Sequence, residues 1–375
     1  MKFLLELLGM TNQCNLRCTY CDWEKDKYKK LSRDEISNAK QHLTKIKKLI
    51  DLNFPEIGIV QYSGGEPLLY PEILNDVLTI FSDKWIRINT NGILLQDDML
   101  NKIKKHGKTY IAISLDGSSL TSNYPRFRNN SEVLGKVLEN IDKVVKLKIP
   151  LMILCTLNKY NIDKFHEFVD FLSIKYINEI QEGMLVMPAH SVTNYSKDNG
   201  VPILEAIDRF STFLDTSMDK YQILNSIKEH YNGLIYYMKN KARESSCSVY
   251  DWSLSMHFRK NEIIEDGNFL SFGCGMRGVH ELGLFNINND KHIEKFLTKV
   301  ASYKETKNIQ SYNTVDQVSE YNRLNDNCEG KCFPDWVIFD MILSGKVSLD
   351  NAEKWFVLFR DENIKKIIQN YKAQV

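Results

Sequence analysis

Six short apolar runs recur through the first half of the chain, each separated from the next by an amphipathic stretch. They are Lys2 to Leu8, Glu56 to Tyr62, Trp85 to Thr90, Thr109 to Leu115, Leu151 to Leu157 and Ile180 to Met187. Runs rich in Ile, Val and Leu on both faces suit parallel strands covered on either side. Parallel strands need long crossovers, and the segments between the runs carry helix signals. Ser32 with Glu35 forms a capping box. Pro71 stands where a first helical turn begins. Gly107 follows Lys104, Lys105 and His106 as a stop. The pattern predicts an α/β fold, a partial (β/α)6 barrel of parallel strands. Functional groups in such sheets gather at the carboxyl ends of the strands.

The beat ends near residue 190. A polar loop, Ser191 to Gly200, leads into a helical region from Pro202 to about Asn240, with Gly233 as its break point. From Cys247 the pattern changes again. Ile263 to Phe272, with Asp266-Gly267 in its middle, reads as a β-hairpin. The stretch after Leu349 is amphipathic and helical. A chain of 375 residues exceeds the ~250–300 that one core fills. The expected division is a core over 1–190, a helical linker or substrate region over 191–246, a small domain with a hairpin and helices over 247–340, and a C-terminal helix over 341–375 packed on the core.

Lys and Arg number 49 against 48 Asp and Glu, a net charge of +1. That balance leaves no basic footprint for nucleic acid. No apolar run approaches the ~20 residues of a membrane span. Met1 to Met10 contains Glu6 and runs straight into cysteines, unlike a secretory signal, so the expected location is cytoplasmic. In a reducing compartment the eight cysteines point to metal ligation rather than disulfides. Seven fall in two groups, Cys14, Cys18, Cys21 and Cys247, Cys274, Cys328, Cys332; Cys155 stands alone.

The first group has the spacing C-x3-C-x2-C directly after the first strand. Three thiolates serve three irons of a [4Fe–4S] cubane and leave the fourth iron open. A zinc site would be closed by a fourth Cys or His at short spacing. The nearest, His42, falls inside a predicted helix. Three unconnected core cysteines are the bland alternative.

This motif, at the head of six β/α units, resembles the radical S-adenosylmethionine (SAM) superfamily. Tyr20 before the third cysteine matches the aromatic usual there. Ser63-Gly64-Gly65-Glu66-Pro67 ends the second strand and matches the family's Gly-Gly-Glu motif. Exposed carbonyls with Glu66 suit a cationic amine. Asn89-Thr90-Asn91-Gly92 ends the third strand like the family's Thr-Asn-Gly, though a plain turn reads the same way. The resemblance implies that Ser114 meets the methionyl or ribose end of SAM, with Asp116 also counted on the cofactor. It implies that Arg128, or failing that Arg126, meets the SAM carboxylate, a bidentate match. Met187, at the end of the sixth strand, falls where relatives pack on adenine. Asn161 reads as a helix cap.

The second group resembles the auxiliary-cluster extension called SPASM, in its shorter twitch form. Four cysteines, Cys247, Cys274, Cys328 and Cys332, would hold one auxiliary [4Fe–4S] cluster. The gaps around Gly267 are longer than the pattern, and a four-cysteine zinc site stays open as the alternative. By the same resemblance the chain cleaves SAM reductively to a 5′-deoxyadenosyl radical, which abstracts hydrogen from a C–H bond. The implied substrate is a small ribosomally made precursor peptide, and the implied electron donor a flavodoxin or ferredoxin. A small-molecule dehydrogenase of aminocyclitol antibiotic type is the alternative, and a non-catalytic iron–sulfur or zinc protein a second. Cys155, near the end of the fifth strand, is either a hydrogen-atom donor to a substrate radical or a small buried hydrophobe.

Overall fold

The computed structural model describes residues 4–8, 13–21, 31–176, 185–190, 253–257, 269–272, 285–305, 348–350 and 360–373. Strands β1 (Leu4–Leu8), β2 (Ile59–Ser63), β3 (Trp85–Thr90), β4 (Thr109–Ser114), β5 (Leu151–Leu157) and β6 (Leu185–His190) pair side by side, all parallel. Helices α1 (Arg33–Asn53), α2 (Pro71–Ile80), α3 (Asp97–His106), α4 (Tyr124–Phe127), α5 (Ser131–Lys146) and α6 (Phe165–Lys175) supply the crossovers. The result is a partial barrel of six parallel strands joined by helical crossovers. On the far side of β1 the sheet continues with β7 (Ser253–His257), parallel to β1, and then antiparallel β8 (Phe269–Phe272) and β9 (Phe285–Asn286).

The local signals act as their chemistry requires. The Ser32 hydroxyl accepts from the Glu35 N–H at 3.2 Å while the Glu35 carboxylate accepts from the Ser32 N–H at 2.8 Å, so α1 begins on a closed capping box. Helix α1 then buries Ala39, Leu43, Ile46, Leu49 and Ile50, a stripe at three- and four-residue spacing. Helix α3 ends at Gly107, whose φ of 77° places it in the left-handed region where a Cβ is costly.

One face of the sheet is the core. Leu5, Leu7, Val60, Tyr62, Ile86, Ile88, Ile111, Ile113 and Ile153 pack with the buried stripes of the helices. The alternate positions Gln61, Ser63, Arg87, Asn89, Ser114 and Thr156 share the opposite face by register, and none belongs to that core. Polar residues on the face away from the helices are what a barrel interior with a ligand pocket requires.

Two sequence expectations shift. The sixth strand continues past Met187: its described part runs from Leu185 to His190 and includes Pro188, while 180–184 lie outside the described residues. Proline cannot donate to a ladder, but among the described residues β6 has a neighbour on one side only, where that loss is tolerated. The hairpin is also wider than Ile263 to Phe272. Its described arms are Ser253–His257 and Phe269–Phe272, paired Leu254 to Phe272 through His257 to Phe269. Asp266-Gly267 falls in the connection, outside the described residues.

Two later helices, α7 (Asp290–Glu305) and α8 (Glu362–Lys372), return to the core. Phe296 of α7 is fully buried against Phe54 and Phe285, with ring centroids 6.2 and 5.3 Å away. Asp361 caps α8, its Oδ1 accepting from the N–H groups of Asn363 and Ile364, while its Oδ2 accepts from the Trp85 indole at 3.0 Å. Trp85 opens β3, so α8 docks at the end of the sheet opposite the cysteine motif. No helix among the described residues is long and apolar enough to cross a membrane.

Candidate functional site

Residues 13–21 lie over the carboxyl ends of β2, β3 and β4, and each of those strand ends bonds to them. From β2, the Glu66 N–H donates to the Gln13 carbonyl at 2.6 Å. From β3, the Asn91 amide donates to Asn15 Oδ1 at 2.6 Å and reaches Cys14 Sγ at 3.7 Å. From β4, Asp116 accepts the Tyr20 hydroxyl at 2.6 Å, and the Thr19 N–H donates to the Pro125 carbonyl at 2.8 Å. A nine-residue loop with these anchors is held in place by long-range bonds rather than by its own secondary structure.

Cys14 and Cys21 are partly exposed and Cys18 is buried. Burial pushes the Cys14 thiol up to about 11, and the nearby Cys18 and Cys21 push in the same direction. Burial also raises Cys18, opposed by the Arg126 charge. Thiols held this way give up protons when they become ligands, so metal uptake here is coupled to proton release. The donor set fits an iron–sulfur cluster, in which each soft thiolate meets its own iron. Among the described residues no three His, Cys, Asp or Glu side chains stand close enough to share a single metal ion.

Glu66 is fully buried. Its carboxylate accepts from the Leu68 N–H at 3.1 Å, the Thr90 hydroxyl at 2.7 Å and the Asn91 N–H at 2.8 Å. Burial nevertheless lifts its pKa, against those three donors and the charge of Arg126. The side chain therefore braces the ends of β2 and β3 from within, and Gly64 and Gly65 form the partly exposed part of that motif. Ser63 is nearly buried beside them. Asn89 and Ser114 are partly exposed on the polar face, with Asn89 Oδ1 accepting from Arg87 Nε at 2.6 Å. Met187 pairs with Leu154 in the ladder; its side chain lies outside the described residues. So do all four cysteines of the second group, Cys247, Cys274, Cys328 and Cys332.

The structure bears on four of the sequence assignments. Asp116 is not open to a ligand: its Oδ2 accepts from Tyr20 and its Oδ1 from the Thr156 N–H at 2.9 Å. Arg128 ends α4 with φ of 49° and is exposed, its Nη2 on the Arg17 carbonyl at 3.4 Å. Arg126 is the arginine turned inward, where Nη1 donates to the Tyr20 hydroxyl at 2.6 Å. Cys155 belongs to the hydrophobic core on the helix-packed face, so it fills the packing role rather than the donor role. Asn161 makes no cap bond; its amide spans the Asp116 and Thr156 carbonyls at 2.9 and 2.8 Å and ties the ends of β4 and β5 together. Asn91, Thr90, Gln13 and Asn123 also hold the site together. Only Thr90 and Asn91, inside the Asn-Thr-Asn-Gly run, carried a local signal.

Residues 8–172 match the family model described as the Radical SAM superfamily. These residues form a radical SAM domain. The matched span runs from the end of β1 into α6 and includes the cysteine loop and every strand end that anchors it. The chain is 29% identical over 212 residues to the GTP 3′,8-cyclase of Clostridium perfringens (strain SM101 / Type A), covering 54% of this chain and 61% of that protein. It is 28% identical over 223 residues to the GTP 3′,8-cyclase of Clostridium botulinum (strain Langeland), covering 57% and 66%. The chain thus spans less than two thirds of the length of these relatives. Among solved structures, native anSMEcpe with bound AdoMet and Kp18Cys peptide superposes with a TM-score of 0.56 at 16% identity, covering 99% of this chain and 100% of that one. The radical SAM domain thus has the fold of a partial β/α barrel.

Proposed function

We propose that this chain cleaves SAM reductively and uses the resulting 5′-deoxyadenosyl radical to take a hydrogen atom from a substrate C–H bond. The observation that carries the reading is the cysteine loop itself: three thiols, anchored from β2, β3 and β4, over the polar mouth of the barrel. Cys14, Cys18 and Cys21 would hold a [4Fe–4S] cluster, which when bound supplies the electron for SAM cleavage. The protein's own part is to orient and enclose. Gly64 and Gly65 offer backbone to the SAM amine, while Ser63, Asn89 and Ser114 line the same end of the barrel. Cys247, Cys274, Cys328 and Cys332 are proposed to hold an auxiliary cluster.

A peptide is the proposed substrate. The full-length match to the fold of anSMEcpe, a structure with a bound peptide, supports it. A second reading, a nucleotide substrate, is favoured by the relatives named GTP 3′,8-cyclase. The test is anaerobic turnover with dithionite. The Cys14/Cys18/Cys21→Ala chain is expected to make no 5′-deoxyadenosine; undiminished production rejects the reading. Substrate-stimulated cleavage by GTP but not by cysteine-containing peptides moves the assignment to the nucleotide.

A further inference from the structure

Tyr20 lies between Cys18 and Cys21, and its hydroxyl is the centre of a buried chain. It donates to Asp116 Oδ2 and accepts from Arg126 Nη1, both at 2.6 Å. The guanidinium also stands 5.9 Å from the centre of the Tyr20 ring. Asp116 is 1% exposed and Arg126 8%. Both are locked from behind. The Asp116 N–H donates to Asn123 Oδ1 at 2.9 Å, and the Asn123 amide donates to the carbonyls of Gly117 and Ser119. The turn is so tight that a Cβ on Gly117 would stand 2.4 Å from Ser122 Cβ.

We propose that Asp116, Tyr20 and Arg126 are positioning residues for the cluster: they clamp the cysteine loop to β4 and set the charge around Cys18. The inference rests on the reading of the loop as a cluster site. A clamp alone would need only the Tyr20–Asp116 bond and the Thr19–Pro125 bond. The chain instead also buries a cation, which is costly unless it is well paired. Arg126 Nε has no hydrogen-bond partner among the described residues, so the pairing of the buried guanidinium is incomplete. Cys18 and Asp116 are among the groups that feel this charge. Cluster potential depends on net charge, hydrogen bonds and solvent exposure. A cation beside Cys18 favours the more negative, reduced cluster and raises its potential; the Asp116 carboxylate acts in the opposite direction.

The full chain is reconstituted anaerobically, and reduction is followed by electron paramagnetic resonance without SAM. The relevant signal is the one lost in the Cys14/Cys18/Cys21→Ala chain. If the unmodified chain has no such signal, the cluster reading itself fails. Where the signal exists, Arg126→Gln is expected to lower its potential and Asp116→Asn to raise it. Each shift corresponds to about a tenfold change in the reduction equilibrium, ~59 mV for one electron. Arg126→Lys should restore most of the shift. Tyr20→Phe keeps both charges and should leave the potential near that of the unmodified chain while iron is lost faster to a chelator. Charge variants that move the potential in the same direction, or not at all, overturn the proposal. If a variant binds no iron, amide exchange in the metal-free chain decides. Faster exchange over residues 13–21 in Arg126→Gln, Asp116→Asn and Tyr20→Phe supports the clamp, and unchanged exchange overturns it.

Discussion

At the scale of single residues, the site depends on carboxylates that face inward. Glu66 receives three hydrogen bonds on two oxygens, two of them from backbone N–H groups. Glu66→Gln puts an amide donor where one of those donors already points. Leaving buried polar groups unmatched costs about 1–3 kcal/mol. The expected outcome is a lower denaturant midpoint with unchanged slope, together with weaker iron retention, because the Glu66 N–H also holds Gln13. Such bonds were poorly legible in the sequence. Tyr20 meets Asp116 across 96 positions and Arg126 across 106, and partners so far apart leave no local pattern. Arg126 and Arg128 are indistinguishable by type. What separates them is the left-handed backbone at Arg128, which ends α4 and turns that side chain out to solvent. Cys155 and its neighbours alternate as any strand does, but only the packed helices reveal which face is core.

At the scale of elements, the legible parts were those written in neighbouring residues. The Ser32–Glu35 box, Pro71 in the first turn of α2 and Gly107 after α3 are contiguous signals, and each appears in the structure. Strands β3, β4 and β5 lie within a residue of the apolar runs that announce them. The less legible parts were pairings: β8 finds its partner on the far side of a long connection, and β6 continues through a proline. Docking of α8 is a further long-range element. The Asp361 carboxylate is pushed up by partial burial, but the Trp85 indole, its own cap bonds and the Lys108 charge more than offset this and hold it below the usual range. A depressed folded pKa means that the stabilisation is present above the ordinary carboxylate value, about 3.9, and is lost as pH falls through the folded value. Asp361→Asn should cost about 1 kcal/mol at neutral pH, as loss of a cap does. It should also flatten the acid limb of stability against pH. An acid limb as steep as that of the unmodified chain would show that Asp361 contributes nothing there.

At the scale of the whole molecule, the clusters proposed for the two cysteine groups would make separable contributions. One cluster accounts for about four irons per chain and two clusters for about eight. Anaerobic reconstitution of the full chain is expected to give about eight, falling to about four in the Cys14/Cys18/Cys21→Ala chain. Stoichiometric zinc, or about four irons in the unmodified chain, would confine iron to the cysteine loop. The order of strands adds a consequence for how the molecule is made. From β1 to β6 each strand pairs with the one before it, so the sheet grows in one direction as the chain leaves the ribosome. The other edge of β1 must wait for β7, about 250 residues later. At about 5–20 residues per second that is roughly 12 to 50 s with an apolar strand edge uncovered. The stretch of synthesis between β6 and β7 is thus the period in which the nascent chain most needs protection from pairing with a strand that is not its own.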